Sequence, residues 1–292
     1  MKKQNRNKTI SVVMCTYNGE LFLHAQIDSI INQTYSIQEL IICDDCSTDQ
    51  TVEIANEYKV KYPFIQLICN STRLGVRKNF EQAIQQATSN YIALADQDDI
   101  WEIDKIAILM DYITSVGVAL VHSDVCLIDA TGNKFSAEHD FKKPDNLTLN
   151  DYIFKQNNVT GCTCLFDAKL KQKLSPFPRF YFYHDQWIAI VACRNGGIAW
   201  VNSKLIRYRQ HANNTLSTFE GGGGGGKQKS LNQISFINKA KDLLLILSKS
   251  DDINLSLKIR CKLYMQIVSG IIGFSYLRYK LLGLSRTTKT NK

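Results

Sequence analysis

An α/β fold with a mostly parallel sheet flanked by helices follows from three observations in this 292-residue sequence. Four apolar runs of strand length, at residues 10–15, 40–43, 64–69 and 91–95, alternate with stretches of helical periodicity. The first run, ISVVMC, is apolar on both faces, as a strand buried under two helical layers must be. Each run then ends abruptly in polar residues. In an open parallel sheet those ends share one edge, where ligands bind and helix amino termini point.

Taken in order, the first strand gives way to Thr16, Tyr17, Asn18 and Gly19, and a helix follows with Leu23, Ile27, Ile30 and Ile31 on one face. The second strand ends in Asp44, Asp45, Ser47, Thr48 and Asp49, where Thr48 or Asp49 is expected to cap a helix carrying Val52, Ala55 and Tyr58. The third strand ends at Asn70, and beyond the Gly75 turn a helix presents Phe80, Ala83, Ile84 and Ala87. The fourth runs into Asp96, Asp98 and Asp99, with Trp101 and a helix over about 103–115 behind them. A strand at 118–121, a turn at 129–133, an irregular stretch to Asp145 and a strand at 158–166 come next. Tyr183 to Trp187 (YHDQW) opens a helix that stops at Gly196 and Gly197. Two strands, at 198–201 and 205–208, lead to Arg209, Gln210 and His211.

Six glycines at 221–226 cannot pack a core and read as a linker or an insertion. The expected organisation is a domain over 1–220, with a donor half at about 10–124 and an acceptor half at about 125–214, then a helical, basic appendage over 227–292. In the appendage Leu231, Ile234, Ile237, Leu244 and Leu247 form a helical stripe. The segment 263–284 mixes apolar residues with Arg278 and Lys280 and is too interrupted to span a bilayer, so it suits packing on the domain or peripheral membrane contact. The amino terminus, MKKQNRNK, is basic, but the apolar run after it is too short for a signal peptide.

A 45% apolar, 21% charged composition excludes a disordered chain. The net charge of +8 gathers at the termini and beyond the glycines, which suggests an anionic surface or substrate; no basic, aromatic-studded motif supports nucleic acid. Nine scattered cysteines fit reduced thiols in a cytoplasmic compartment, and the acidic residues inside Cys43-Asp44-Asp45-Cys46 disfavour a redox dithiol. Cys162 and Cys164 read as small buried strand residues. The carboxylates of DQDD read either as an acidic loop capping a helix or as hard oxygen ligands for Mg²⁺ or Mn²⁺.

With these residues assembled, about 10–214 resembles the inverting family-2 glycosyltransferases of the GT-A fold, through several motifs in the right order. SVVMCTYNGE is similar to that family's first nucleotide-binding strand, ICDDCSTDQT to its Asp-Asp-x-Ser-x-Asp motif, ADQDD to its metal-binding Asp-x-Asp, HDQW to its catalytic-base motif and YRQHANN to its carboxyl-terminal histidine stretch. The DQDDIW, NNVTGCT and HDQW wording most resembles rhamnosyltransferases of bacterial surface polysaccharides. The resemblance implies Asp45 on the N3–H of a pyrimidine, Asp44 on the ribose side, and Thr16, Tyr17 and Asn18 around the base. It implies Asp98 and His211 as ligands of Mn²⁺ or Mg²⁺, Asp96 on ribose or diphosphate, Arg77 on the nucleotide and Arg209 on the leaving diphosphate. Asp185 would be the general base, and Trp101 and Trp187 are candidates for the sugar subsite as well as for the core. The implied donor is a dTDP- or UDP-sugar such as dTDP-rhamnose, and the acceptor a glycan or lipid-linked oligosaccharide at the inner face of the membrane. A metal-dependent nucleotidyltransferase and a non-catalytic nucleotide-sugar binding module stand as alternatives.

Overall fold

The computed structural model describes residues 8–135, 147–154, 157–178 and 183–211. By its contacts the chain divides into one unit of Met1–Phe177 with Tyr183–Gly221, and a second of Pro178–Phe182 with Gly222–Lys292. The glycine run, the helical stripe, the 263–284 segment and most of the irregular stretch before Asp145 lie outside the described residues. Among the described residues no helix is long and apolar enough to cross a membrane.

The elements run β1 (Ile10–Thr16), α1 (Leu23–Ile31), β2 (Glu39–Asp44), α2 (Thr51–Lys61), β3 (Ile65–Cys69), α3 (Val76–Gln86), β4 (Tyr91–Ala95), β5 (Ile100–Trp101) and α4 (Lys105–Val116). There follow β6 (Leu120–Ile128), α5 (Leu149–Phe154), β7 (Cys164–Asp167), α6 (Lys171–Leu174), α7 (His184–Arg194) and β8 (Ile198–Arg209). They build one eight-stranded sheet in the order β3-β2-β1-β4-β7-β6-β8-β5. The first four strands pair in parallel, with Val13 between Ile41 and Leu94. Every residue of β2 is buried, because helices cover both faces there. Edge strand β3 buries only Ile65 completely. α1 turns Leu23, Ile27 and Ile30 inward at helical spacing, and α3 does the same with Phe80, Ala83 and Ile84. α4 stops at Gly117, whose left-handed φ of 76° ends the helix at no steric cost.

Beyond β4 the sheet is mixed. β7 lies antiparallel between β4 and β6, and β5 is antiparallel to β8. Several boundaries differ from the expected ones. The strand expected at 158–166 is a 3₁₀ turn at Gly161–Thr163 followed by β7; Thr163 donates its hydroxyl to the Thr160 carbonyl at 2.7 Å, closing the turn locally. The strand expected at 118–121 continues to Ile128 through His122, Ser123 and Asp124, whose polar side chains resembled a loop. The two strands expected at 198–201 and 205–208 are one, because the register jumps from Ser123↔Val201 to Asp124↔Lys204 and takes up Asn202 and Ser203 as a bulge. α2 is capped by neither Thr48 nor Asp49: Gln50 is its N-cap, and Asp49 accepts the Thr51 N–H from one residue earlier at 3.1 Å.

His122, 3% exposed on β6, is held neutral by burial, which pushes its pKa down to about 4. The unfolded chain takes up this proton below about pH 6.5, whereas the folded chain refuses it until about pH 4. Stability from this group is therefore complete above the ordinary imidazole range and lost as pH falls toward the folded value, by about 3 kcal/mol in all. Urea unfolding of the wild type and His122→Leu at about pH 7.5 and about pH 5 is expected to show a smaller acid-induced loss in the variant.

Candidate functional site

The carboxyl ends of β1 and β2 are joined by side chains bonded to the opposite backbone. Thr16 Oγ1 donates to Asp44 Oδ2 at 2.9 Å, and the Ser47 N–H donates to Asp44 Oδ1 at 2.8 Å. The Asn18 N–H reaches Ser47 Oγ at 2.9 Å while Asn18 Oδ1 accepts the Thr48 N–H at 2.8 Å. Asn18 and Cys46 both take left-handed φ, at 49° and 66°, so each turn folds tightly against the other. Asp45 Oδ1 accepts the Leu74 N–H at 2.7 Å and Asn70 Nδ2 at 3.0 Å; its Oδ2 accepts the Gly75 N–H at 2.8 Å. Asp45 thereby fixes the loop that carries Arg73, whose guanidinium lies 3.7 Å from the Tyr17 ring centre. Cys43 and Cys46 carry free thiols; burial raises Cys43 to about 11 and Cys46 Sγ lies 3.2 Å from the Asn70 carbonyl, an arrangement unsuited to redox exchange.

The aspartate loop closes the next corner. Asp98 Oδ2 lies 2.9 Å from His211 Nε2, so the end of β8 brings the histidine onto the motif. Asp99 is fully buried; its Oδ1 accepts the Arg209 N–H at 3.0 Å, while its Oδ2 has no partner among the described residues. Ligand atoms of Asp96, Asp99 and Cys162 lie within 4.8 Å of one another. Burial, then the Asp98 charge, pushes Asp96 up to about 7, and the same two causes hold Asp99 well above the usual carboxylate range. Lys105, fully buried at the start of α4, donates to the Cys162 carbonyl at 2.7 Å and stands 3.2 Å from the Trp101 ring centre. Burial pulls it down to about 7 against the raising charges of Asp99 and Asp96. Arg209 Nε donates to the Asp98 carbonyl at 2.8 Å, Nη1 reaches Ala130 O at 3.0 Å, and the guanidinium packs 4.6 Å over Phe22. A hard divalent cation fits this corner by its chemistry: a carboxylate and an imidazole side by side, with a buried carboxylate oxygen lacking any donor in the same loop.

Asp185 stands in the first turn of α7, half-buried, with Oδ1 accepting the Gln186 N–H at 2.6 Å. It is not the N-cap, which is Tyr183. Its charge is among the lesser causes that raise Asp96, and a Cβ on Gly161, next to Cys162, would fall 3.6 Å from its own Cβ. Behind it, the His184 ring stacks on Phe80 at 4.3 Å, and a Cβ on Gly161 would fall 2.8 Å from His184 Nε2, which is why only glycine fits there. Burial lowers His184 against the raising charge of Asp185, and the charge of Arg77, in the first turn of α3, adds to the lowering. Trp187 is wholly buried with Nε1 donating to the Leu174 carbonyl at 2.8 Å, and Trp101 is 3% exposed; both serve the core. Thr16, Tyr17, Asn18, Asp44 and Asp45 thus meet at one corner, and Asp96, Asp98, Arg209 and His211 at the next. Sequence reasoning missed Arg73, Gln97, Lys105 and Cys162. A lysine four residues after Trp101 is a weak signal, and burial alone reveals it.

A family model described as glycosyl transferase family 2 matches residues 11–172. The chain belongs to this family. Among its relatives, a dTDP-rhamnosyl transferase, RfbG of Shigella flexneri, is 31% identical over 220 residues, covering 70% of this chain and 73% of that protein. A UDP-Glc:alpha-D-GlcNAc-diphosphoundecaprenol beta-1,3-glucosyltransferase of Escherichia coli, WfgD, is 29% identical over 207 residues, 68% of this chain and 76% of its own. In fold, this family 2 glycosyltransferase is similar to residues 1–349 of S. aureus TarS, solved with UDP-GlcNAc, at a TM-score of 0.64 and 16% identity, covering 95% of this chain and 76% of that one. GalNAc-T7, solved with UDP, GalNAc and Mn²⁺, gives a TM-score of 0.58 at 14% identity over 71% of this chain and 45% of its own. The expected GT-A type of sheet and the expected family are both borne out.

Proposed function

We propose that this glycosyltransferase moves a sugar from a dTDP- or UDP-linked donor, dTDP-rhamnose being one candidate, to a hydroxyl of a glycan or lipid-linked acceptor with inversion. The observation that carries the reading is the convergence of Asp98 with His211, 2.9 Å apart at the end of the aspartate loop. The relatives' names, one using dTDP-rhamnose and one acting on a diphosphoundecaprenol-linked sugar, support a donor of this class and a place in bacterial surface polysaccharide synthesis at the inner face of the membrane.

In this reading the base meets the Tyr17 turn where the Arg73 guanidinium now stacks 3.7 Å from the ring centre and would give way to it, with Asp45 toward the pyrimidine edge and Asp44 holding the turn. Asp98 and His211 would hold Mn²⁺ or Mg²⁺, which supplies positive charge to the departing diphosphate. Arg209, fastened to the Asp98 carbonyl, adds a fixed cation beside it. Asp185 accepts the proton of the acceptor hydroxyl as its oxygen attacks the anomeric carbon opposite the leaving group. One bond forms as the other breaks, and the anomer inverts. Arg77 would serve this side of the cleft. Calorimetric titration with UDP, dTDP and GDP, with and without Mn²⁺, tests the donor site. Metal-dependent binding of one pyrimidine diphosphate is expected, and binding of none would overturn the reading.

A further inference from the structure

Gln97, the residue between Asp96 and Asp98, belongs to none of the roles above, yet it bonds across the site in both directions. Its Oε1 accepts the Tyr17 N–H at 2.8 Å and its Nε2 donates to the Tyr17 carbonyl at 3.1 Å. One side-chain amide therefore holds both backbone groups of the residue at the nucleobase corner. The approach is so close that a Cβ on Gly19 would stand 2.4 Å from Gln97 Oε1 and 2.5 Å from its Cδ. The hydrogen bonds between the turn and the β2 side are Asn18 to Ser47 and Thr48, and the Gly19 N–H to Thr51 Oγ1 at 2.8 Å. Of the groups bonded to this turn, Gln97 comes from the aspartate loop, and Asp98, its immediate neighbour, is joined to His211.

We propose that Gln97 is a positioning residue that couples cation binding at Asp98 to nucleobase binding at Tyr17, so that each strengthens the other. This rests on the function proposed above and deepens it. A cation that draws Asp98 and His211 together immobilises the loop from Asp96 to Asp99, and the Gln97 amide carries that order to the Tyr17 turn. The nucleobase then meets a turn whose ordering cost has already been met. Coupling of this kind is reciprocal: the base tightens the cation by the same factor as the cation tightens the base.

The test uses nucleosides, which have no phosphate with which to touch a cation. Uridine and thymidine affinities are measured by calorimetry on the full chain, with and without saturating Mg²⁺, alongside UDP and dTDP controls and the melting temperature of each variant. In wild type, Mg²⁺ is expected to tighten the preferred nucleoside by at least about fivefold, and the nucleoside to tighten Mg²⁺ equally. Gln97→Met, which keeps the bulk of the side chain and removes both hydrogen bonds, is expected to abolish the coupling while the cation alone still binds. Gly19→Ala reaches the same end without changing any residue of the aspartate loop, because its methyl displaces the Gln97 side-chain amide. Coupling retained in either folded variant, or absent in a wild type that binds UDP or dTDP with metal, overturns the proposal for Gln97 alone. A wild type that binds no pyrimidine diphosphate overturns the donor-site reading beneath it.

Discussion

Asp185→Asn is expected to reduce sugar transfer by about 10²- to 10⁴-fold, the range that removing a general base costs. The variant keeps the shape of the side chain and the hydrogen bond from the Gln186 N–H, so α7 has no reason to shift. What disappears is the capacity to take a proton from the acceptor hydroxyl. Nucleotide binding is expected to stay within about twofold of wild type, since Asp185 stands on α7 and not on the turns of β1 and β2. The loss should fall on kcat and kcat/KM together, as for an interaction made only in the transition state. Steady-state release of nucleoside diphosphate, with calorimetric affinity measured beside it, separates the two effects. Full transfer activity in the variant would remove Asp185 from the chemistry.

Asp98→Ala is expected to weaken metal-dependent binding of the nucleoside diphosphate by at least about 100-fold, because replacing even groups that only orient a ligand costs about 10- to 100-fold in metal affinity. Its carboxylate lies 2.9 Å from His211 Nε2, so the substitution would remove the oxygen proposed to share the cation with that imidazole. Titration of UDP and dTDP into the variant with Mn²⁺ is expected to give the weak binding that wild type shows after chelation. Wild-type affinity in Asp98→Ala would move the cation elsewhere, with the Asp96, Asp99 and Cys162 group the place to look.

The part of the fold from β1 to β4 was legible because its signals are local. An apolar run, a polar turn and an amphipathic helix repeat, and each can be recognised within a short window. The same holds for Asp44, Asp45, Asp98 and Asp185, whose motifs lie at strand ends or helix starts. The rest depends on contacts between distant segments. That Asn202 and Ser203 form a bulge and not a turn depends on the partner strand β6, and that a side chain at Gly161 would meet the ring of His184 depends on a segment more than twenty residues away. Gln97 looks like a spacer between two aspartates until the Tyr17 backbone is seen against it.

The antiparallel strand β7, set between β4 and β6, also bears on how the chain assembles. β4 pairs on one side with β1, which precedes it in the chain, and on the other with β7, which follows it, over Tyr91 with Asp167, Ile92 with Phe166 and Ala93 with Leu165. During synthesis from the amino terminus, the first four strands and their helices are made while β7 is still to come. Until it arrives, β4 presents an open row of backbone donors and acceptors beside a fully apolar face, the kind of edge that invites pairing with another chain. β7 is only four residues long, and it is the piece that shields this edge and joins β4 to β6, which in turn pairs with β8, the strand that leads to His211.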